Sequence, residues 1–306
     1  MLACALALAA GAPALAAGPD LPEALPDDDR LATVKVTSAS TKDEHAELLT
    51  GANAVKLDTR GSSYGVDSYR SASKTTPYAG LVYDITPTLS AYASYTAIFN
   101  AQSEIDIDRQ PLAPVEGKTA ELGLKSALLD GRAQLSGAVF KTRQTNAPQQ
   151  AGYIGGSLDA YYVGIEAESK GVELELSGQL ARNWQASLGV TQMSMSGNEG
   201  EDVRTFIPRR TLRGATTYRF ASLPQLKVGA SLNWQSRIHL VDPGAVIRQG
   251  AYATIGLMAQ YDIRPHLTLS ANVNNVTDKT YLTSLYWNQS FHAAPRNGSV
   301  SLTWSY

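Results

Sequence analysis

The sequence contains little cysteine, little charge and no long apolar run beyond its first residues. Cys4 is the one cysteine among 306 residues and lies in an apolar leader, so we expect no disulfide and no thiolate metal site. Charged residues make up 18% and the net charge is −2, which excludes the basic surface of a nucleic-acid-binding protein. Without a run of about 18 apolar residues, a transmembrane helix is excluded, and a membrane crossing would require a β-barrel.

Motifs of the common enzyme classes are also absent. No P-loop, dinucleotide fingerprint or completed nucleophile-elbow pattern occurs. The four histidines are scattered, and none has carboxylates at metal-ligand spacing: His45, His239, His266 and His292. We therefore predict a protein that is not an enzyme, with no catalytic residues, no metal site and no cofactor.

The N-terminal region predicts export. Residues 1–16 form an apolar stretch ending in the small-x-small sequence Ala14-Leu15-Ala16, which is typical of a signal peptide. Residues 17–51 are predicted to be a periplasmic linker, because 18–30 are rich in proline and aspartate. A short β-prone segment, residues 31–38, lies within that linker.

From residue 52 onward, apolar and polar residues alternate repeatedly. Runs such as 89–96 and 226–235 are about as long as a tilted membrane strand. In another run, Glu173 and Glu175 fall on the polar face, which we expect to face the lumen. The chain ends on such a strand, with four apolar residues on one face: Val300, Leu302, Trp304 and Tyr306. This pattern is typical of outer-membrane barrels embedded in lipid, and the terminal aromatic strand resembles the signal that the barrel-assembly machinery reads.

The connections between these strands alternate in length. Short turns rich in Pro, Gly, Asp and Asn occur at 84–88, 129–131, 181–183, 221–225 and 264–266. Long loops occur at 100–117, 146–164, 197–209, 237–249 and 276–297. Outer-membrane barrels have this asymmetry, with the long loops outside the cell. We predict an all-β fold over 52–306, a transmembrane antiparallel up-and-down β-barrel of about twelve strands.

Several motifs resemble TonB-dependent outer-membrane receptors. The sequence from Val273 to Tyr281, VNNVTDKTY, is similar to a motif near the C-terminus of that family, and Pro295-Arg296 is similar to its P-R segment. Four further segments resemble ferric-siderophore receptors of the coprogen and pyoverdine type: 77–84, 89–99, 116–125 and 171–175. The similar segments keep the order in which they occur in the family.

The resemblance implies energised import of ferric siderophores across the outer membrane of a Gram-negative bacterium. It makes residues 31–38 similar to a TonB box, which pairs as an added strand with TonB of the TonB–ExbB–ExbD complex. The implied TonB-binding residues are Leu31, Ala32, Thr33, Val34, Lys35, Val36 and Thr37. Extracellular aromatic residues bind the siderophore in this family, which indicates Tyr153, Tyr161, Tyr162, Tyr286 and Trp287.

The resemblance also implies a difference from the family. Such receptors have a plug domain between the TonB box and a barrel of 22 strands, whereas here the barrel pattern follows residues 31–38 closely. We expect an internally deleted chain that corresponds to the C-terminal part of such a barrel, with impaired transport. Three alternatives remain open: a passive pore without a plug, an outer-membrane hydrolase, and a remnant that never reaches the membrane.

Overall fold

All the regular structure in the described part of the chain is β-strand. The computed structural model describes residues 31–42, 45–63, 66–157, 159–242, 245–285 and 291–305. None of these residues belongs to a helix that could span a membrane. The strands are β1 (Leu31–Lys42), β2 (Ala46–Ser63), β3 (Val66–Thr86), β4 (Leu89–Asn100), β5 (Val115–Leu128), β6 (Ala133–Tyr153), β7 (Ala160–Ala181), β8 (Trp184–Ser196), β9 (Arg210–Arg219), β10 (Leu226–Gln235), β11 (Ile238–Asp242), β12 (Ala245–Gln249), β13 (Tyr252–Arg264), β14 (Leu267–Asn274) and β15 (Asn297–Trp304).

Thirteen of the strands form one antiparallel sheet in which neighbours in sequence are neighbours in space. The order runs from β1 to β10 and continues with β13, β14 and β15. β11 and β12 form a separate hairpin within the connection from β10 to β13. In the part of the chain that the structure describes, β1 and β15 are the two edges of the large sheet, and no pairing joins them.

The predicted fold class is confirmed, with a difference at the N-terminal end. The sheet begins at Leu31 rather than at residue 52, so β1 and the start of β2 occupy part of the range predicted as linker. It therefore has thirteen strands instead of twelve. A short β-prone segment is marginal alone, but β1 forms twelve residue pairs with β2, from Leu31 with Asp58 to Lys42 with Glu47. The predicted signal peptide, residues 1–16, lies outside the described residues.

One face of the sheet is apolar and exposed. The register aligns Leu122 with Val139 and Val139 with Val172, and the same face continues through β8, β13 and β15. We call these side chains the apolar belt, and each is between 41% and 73% exposed: Leu122, Leu124, Val139, Val172, Leu174, Leu188, Leu257, Val300 and Leu302. So much exposed apolar surface on one face indicates contact with lipid. About ten residues at the short-turn end of a strand span the apolar layer, which on β7 and β13 gives 172–181 and 255–264.

The opposite face carries polar side chains that bind one another. The hydroxyl groups of Thr119 and Thr142 lie 2.9 Å apart, and the Tyr92 hydroxyl donates to the Glu121 carboxylate. The Lys125 Nζ lies 4.7 Å from the centroid of the same tyrosine ring. Glu173 and Glu175 alternate with the belt residues Val172 and Leu174 on β7, so the register places them on this lumen face, as predicted.

Candidate functional site

The two ends of the sheet differ in the lengths of their connections. From β3 onward, the turns at one end have two to six residues, whereas the other end carries 101–114, 154–159, 197–209, 236–251 and 275–296. From β3 onward the predicted alternation is confirmed except between β6 and β7, whose connection has six residues, and we call the second end the long-loop rim. One loop is shorter than predicted, because most of residues 146–164 continue β6 and β7 as an extended hairpin.

The loop 101–114 is fastened to this hairpin by amide side chains. Gln102 is buried, and its Nε2 donates to the carbonyl of Asn146 at 3.0 Å and to the carbonyl of Ala113. The Nδ2 of Asn146 in turn donates to the carbonyl of Pro114, the last residue of the loop, at 3.2 Å. Asn146 has a φ of 57°, which asparagine tolerates better than most residues, at an irregularity in the β6–β7 register. These contacts hold the loop over the hairpin.

The tyrosines predicted to bind a siderophore lie in this hairpin but in different environments. Tyr162 is 7% exposed, and its backbone N–H donates to the Ile105 carbonyl at 2.8 Å. Burial raises the pKa of the Tyr162 hydroxyl, and the nearby Glu104 and Tyr153 add to the rise. Tyr161 and Tyr153 are half-buried. Tyr286 and Trp287 lie outside the described residues.

The Tyr161 ring depends on a glycine on the neighbouring strand. Gly152 pairs with Tyr161, and a Cβ atom at Gly152 would lie 2.8 Å from the Tyr161 ring. A real side chain cannot approach an aromatic ring so closely, so Gly152 leaves the space in which that ring lies.

A small apolar core lies beneath the loop 197–209. It is formed by four buried side chains: Ala147, Ala167, Met195 and Val203. Arg209 closes the loop above it, since its guanidinium donates to the carbonyls of Val203, Arg204 and Ile207 and to the Asp202 carboxylate. Three carbonyls and one carboxylate around a single planar guanidinium fix the loop more firmly than a lysine could.

The connection 275–296 is closed by a set of contacts that we call the Asn275 clamp. The Asn275 side chain is buried, accepts a hydrogen bond from the Lys279 N–H at 2.8 Å, and donates to the carbonyls of Lys279 at 2.9 Å and Ala294 at 3.3 Å. The Asp278 carboxylate accepts from the Arg296 N–H at 2.7 Å. Asn275 and Asp278 both have positive φ, at 50° and 52°. The VNNVTDKTY motif and the Pro-Arg segment are thus two halves of one clamp.

A pair of stacked tyrosines lies beside this clamp. Tyr252, the first residue of β13, and Tyr281 have ring centroids 4.3 Å apart with an interplanar angle of 23°. Together with Gln249 and Lys279 they line a cavity of about 90 Å³. Burial, with a smaller contribution from Tyr281, raises the pKa of Tyr252 to about 12. The cavity is too small for a chelated metal complex, so by itself it indicates an ordered rim and not a ligand site.

The described residues contain no group of three or more His, Cys, Asp or Glu side chains that could hold a metal ion. The long-loop rim therefore offers aromatic rings and hydrogen-bonding groups to a ligand. Such groups bind an organic molecule by stacking and directed hydrogen bonds, and they would contact a metal through the chelator that carries it.

Comparison with known proteins identifies the family. Residues 42–276 match the family model described as TonB dependent receptor-like, beta-barrel. This chain belongs to the TonB-dependent receptor family. It is similar to the ferric-pyoverdine BN7/BN8 receptor of Pseudomonas putida, with 36% identity covering 92% of this chain and 35% of that receptor. It is also similar to the ferripyoverdine receptor of Pseudomonas aeruginosa, with 35% identity covering 78% of this chain and 31% of that receptor.

Solved structures of this receptor family have the same fold. The ferripyoverdine receptor of the outer membrane of Pseudomonas aeruginosa, bound to ferripyoverdine, superposes with a TM-score of 0.73 at 32% identity. The superposition covers 89% of this chain and 38% of that one. The protein thus belongs to the outer membrane of a Gram-negative bacterium, its antiparallel sheet matches part of such a receptor barrel, and its relatives are receptors and not enzymes.

The chain spans about a third of the length of the curated receptors that it matches. The alignment with the Pseudomonas putida receptor is 294 positions long and includes 92% of this chain, which is about 282 of its 306 residues. Within the aligned range, only about a dozen residues of that receptor therefore have no counterpart in this chain. At most about 25 residues of this chain lie outside it, so residues 31–38 lie inside. A segment as long as a domain is therefore not missing between residues 31–38 and the barrel strands when this receptor is the reference. This result differs from the internal deletion expected from the sequence.

The implied TonB-binding residues, 31–37, lie in β1. Their backbone is paired with residues 52–58 of β2. The β1–β2 connection lies at the short-turn end, so Leu31 is at the end of β1 that faces the long-loop rim. TonB is a periplasmic protein, so binding it here would require these residues to leave the sheet and cross to the other side.

The described insertion residues of β15 lie on the same face of the sheet as the apolar belt. Val300, Leu302 and Trp304 are 73%, 63% and 75% exposed, and Tyr306 lies outside the described residues. Their role in membrane insertion stays a prediction. Sequence reasoning missed Gln102 and Asn146, whose partners are distant in the chain. It noticed the residues of the Asn275 clamp only as a family motif and gave no sign that they contact one another.

Proposed function

We propose that this barrel takes up ferric siderophores of the pyoverdine class, captured at the long-loop rim and admitted through the outer membrane. The observation that carries the proposal is the 36% identity to a ferric-pyoverdine receptor over 92% of this chain. The rim supports it chemically, because its aromatic side chains are held on an extended hairpin above the lipid-facing part of the sheet.

The proposed siderophore contacts are the rim aromatics Tyr153, Tyr161, Tyr162, Tyr286 and Trp287. Among the three described, Tyr161 is the best candidate for stacking on the ligand, since its ring is half-buried and Gly152, which has no side chain, leaves the space in which that ring lies. The buried Tyr162 would act by keeping the hairpin and residue Ile105 together.

We further propose that uptake is energised by TonB with ExbB and ExbD, and that the barrel-assembly machinery inserts the protein. Residues 31–37 remain the proposed TonB contact, and this proposal requires that β1 separates from β2 and reaches the periplasmic side. A cysteine placed at Val34 should cross-link to TonB in cells, whereas one placed at Ser187 on the lumen face of β8 should not. Absence of the Val34 cross-link, with normal iron uptake, would assign TonB coupling to another segment.

The function is tested by uptake of ⁵⁵Fe-pyoverdine in cells that produce the full protein and lack other pyoverdine receptors. We expect saturable, energy-dependent uptake that Tyr161→Ala weakens about tenfold, as expected for the loss of one aromatic contact. Tyr83→Ala, at an exposed tyrosine of β3 near the short-turn end, is the matched control and should transport normally. Uptake that needs no energy source, together with single-channel conductance in a planar bilayer, would instead indicate a passive pore.

A further inference from the structure

A cluster of cations lies on the lipid-facing side of the sheet, just above the apolar belt. Lys118 of β5 pairs with Arg143 of β6, and Lys141 of β6 pairs with Lys170 of β7. All four are exposed and lie on the same face as the belt. We call Lys118, Lys141, Arg143 and Lys170 the basic cluster.

The depth of the basic cluster follows from the strand register. On β6, Val139 lies two residues below Lys141, and on β7, Val172 lies two residues below Lys170. Val139 is 52% exposed and Val172 is 51% exposed, and both belong to the belt. The cations therefore begin one side-chain row above the apolar layer, at the level where lipid headgroups lie.

The basic cluster carries more positive charge than its neighbours neutralise. Glu168 binds two of its members, with Oε1 at 2.9 Å from the Lys141 Nζ and Oε2 at 2.6 Å from the Arg143 Nε. Glu166, farther towards the rim, is the next carboxylate on this face of β7, and Glu116, two residues from Lys118 on the same face of β5, is paired with the Lys74 Nζ at 2.8 Å. Lys118 and Lys170 form no ion pair among the described residues.

Like charges directly opposite each other destabilise an antiparallel pair. The basic cluster contains two such pairs side by side, Lys118 with Arg143 and Lys141 with Lys170. An anion that contacts several of these cations at once would remove the repulsion. Phosphate suits the arrangement, because it has several acceptor oxygens and binds arginine bidentately and lysine as a point charge.

We propose that the basic cluster binds a phosphate group of an outer-leaflet lipid headgroup. The lipid-facing position identifies the source: the belt directly below would contact the acyl chains of the same molecule. A soluble ligand that enters through the lumen would meet the opposite face of the sheet.

The experiment measures lipid binding to the purified full chain in uncharged detergent. The probes are diphosphoryl lipid A, the same lipid with both phosphates removed, and inorganic phosphate. The test variant is Lys118→Gln with Lys170→Gln, which leaves both ion pairs of Glu168 in place. The matched control is Arg213→Gln with Lys227→Gln, which removes two cations from the lumen face.

We expect diphosphoryl lipid A to bind the wild type, and the test variant to bind it about thirtyfold more weakly, since each basic residue near an anionic surface contributes roughly a factor of five. The lumen control should bind like the wild type, and Glu168→Gln should bind more tightly. Equal binding of the dephosphorylated lipid would overturn the proposal, as would an unaffected test variant. Inorganic phosphate binding as tightly as the lipid would also overturn it, by assigning a free-anion site.

Discussion

In the apolar belt, side chains such as Leu122 and Leu174 extend away from the protein and are about half exposed, whereas at the long-loop rim Ala147, Ala167 and Met195 are buried against one another. The belt has continuous strand pairing from β5 to β10, and the register shifts of its strands, at 179–181 and 262–264, adjoin the short turns. The rim contains register shifts at 144–147 and 150–152 and positive φ angles at Asn146, Asn275 and Asp278.

The difference between belt and rim follows from their surroundings, because lipid surrounds the belt and water surrounds the rim. In the belt, lipid supplies the apolar contacts and the strands have to pair only their backbone groups, so simple alternation suffices. At the rim, water surrounds the protein, and irregular loops have to satisfy their own polar groups. Buried amide side chains such as Gln102 and Asn275 donate hydrogen bonds to backbone carbonyls of this region.

The largest expected effect comes from charging the belt. Leu174→Arg should lower the free energy of unfolding by about 2 kcal/mol, because a basic side chain that faces lipid costs about 2–4 kcal/mol at the bilayer midplane and less towards the headgroups. Thr191→Arg is the control, because Thr191 lies on the lumen face of β8 opposite Glu173. Urea unfolding in lipid vesicles measures both. Equal destabilisation by the two substitutions would mean that the assigned belt does not face lipid.

The next effect should come from the Asn275 clamp. Asn275→Ala removes three hydrogen bonds and places alanine at a φ of 50°, so we expect a loss of about 2–3 kcal/mol of local stability. Limited proteolysis within 276–296 measures it. Asn275→Gly keeps the backbone conformation but not the bonds, whereas Asn275→Asp keeps the acceptor for the Lys279 N–H. If glycine behaves like wild type, the backbone conformation matters and the hydrogen bonds do not.

A smaller effect should appear at the boundary between belt and rim. Hydrogen bonds from Lys141 and then Arg143 lower the pKa of Glu168 to about 2. Because this pKa is depressed in the folded protein, its stabilisation is present above the unfolded value of about 4.3 and is lost as pH falls towards 2. Wild type should therefore be more stable than Glu168→Gln at pH 6, and most of that difference should be gone at pH 2. A difference in stability as large at pH 2 as at pH 6 would contradict this ion-pair assignment.

The smallest effect concerns the tyrosine stack at the rim. With the pKa of Tyr252 raised to about 12, the neutral ring stabilises the fold below pH 10, and this contribution is lost as pH rises through 12. The ultraviolet titration of wild type minus that of Tyr252→Phe should show one phenol that ionises well after the exposed tyrosines. A difference titration centred near pH 10 would mean that the stack with Tyr281 leaves Tyr252 open to water.

Much of the belt could be predicted from the sequence, because the alternation of apolar and polar residues is visible within each strand. Val172, Leu174 and Leu176 alternate with polar residues, and lipid on one side and a polar lumen on the other require that period of two. The rim could be predicted only as loops. The contact between Asn275 and Ala294 joins residues on opposite sides of a long connection, and no local pattern indicates it.

By itself, the sequence determined the all-β class, the strands from residue 76 onward, the alternation of turns and loops, and the resemblance to TonB-dependent receptors. These depend on local periodicity and on motifs that a single segment carries. The tertiary structure decided that Leu31–Lys42 pairs as the edge strand β1, that Tyr162 is buried while Tyr161 stays half-exposed, and that Lys118, Lys141, Arg143 and Lys170 form one cluster. Those outcomes depend on strand register, which places residues far apart in sequence side by side.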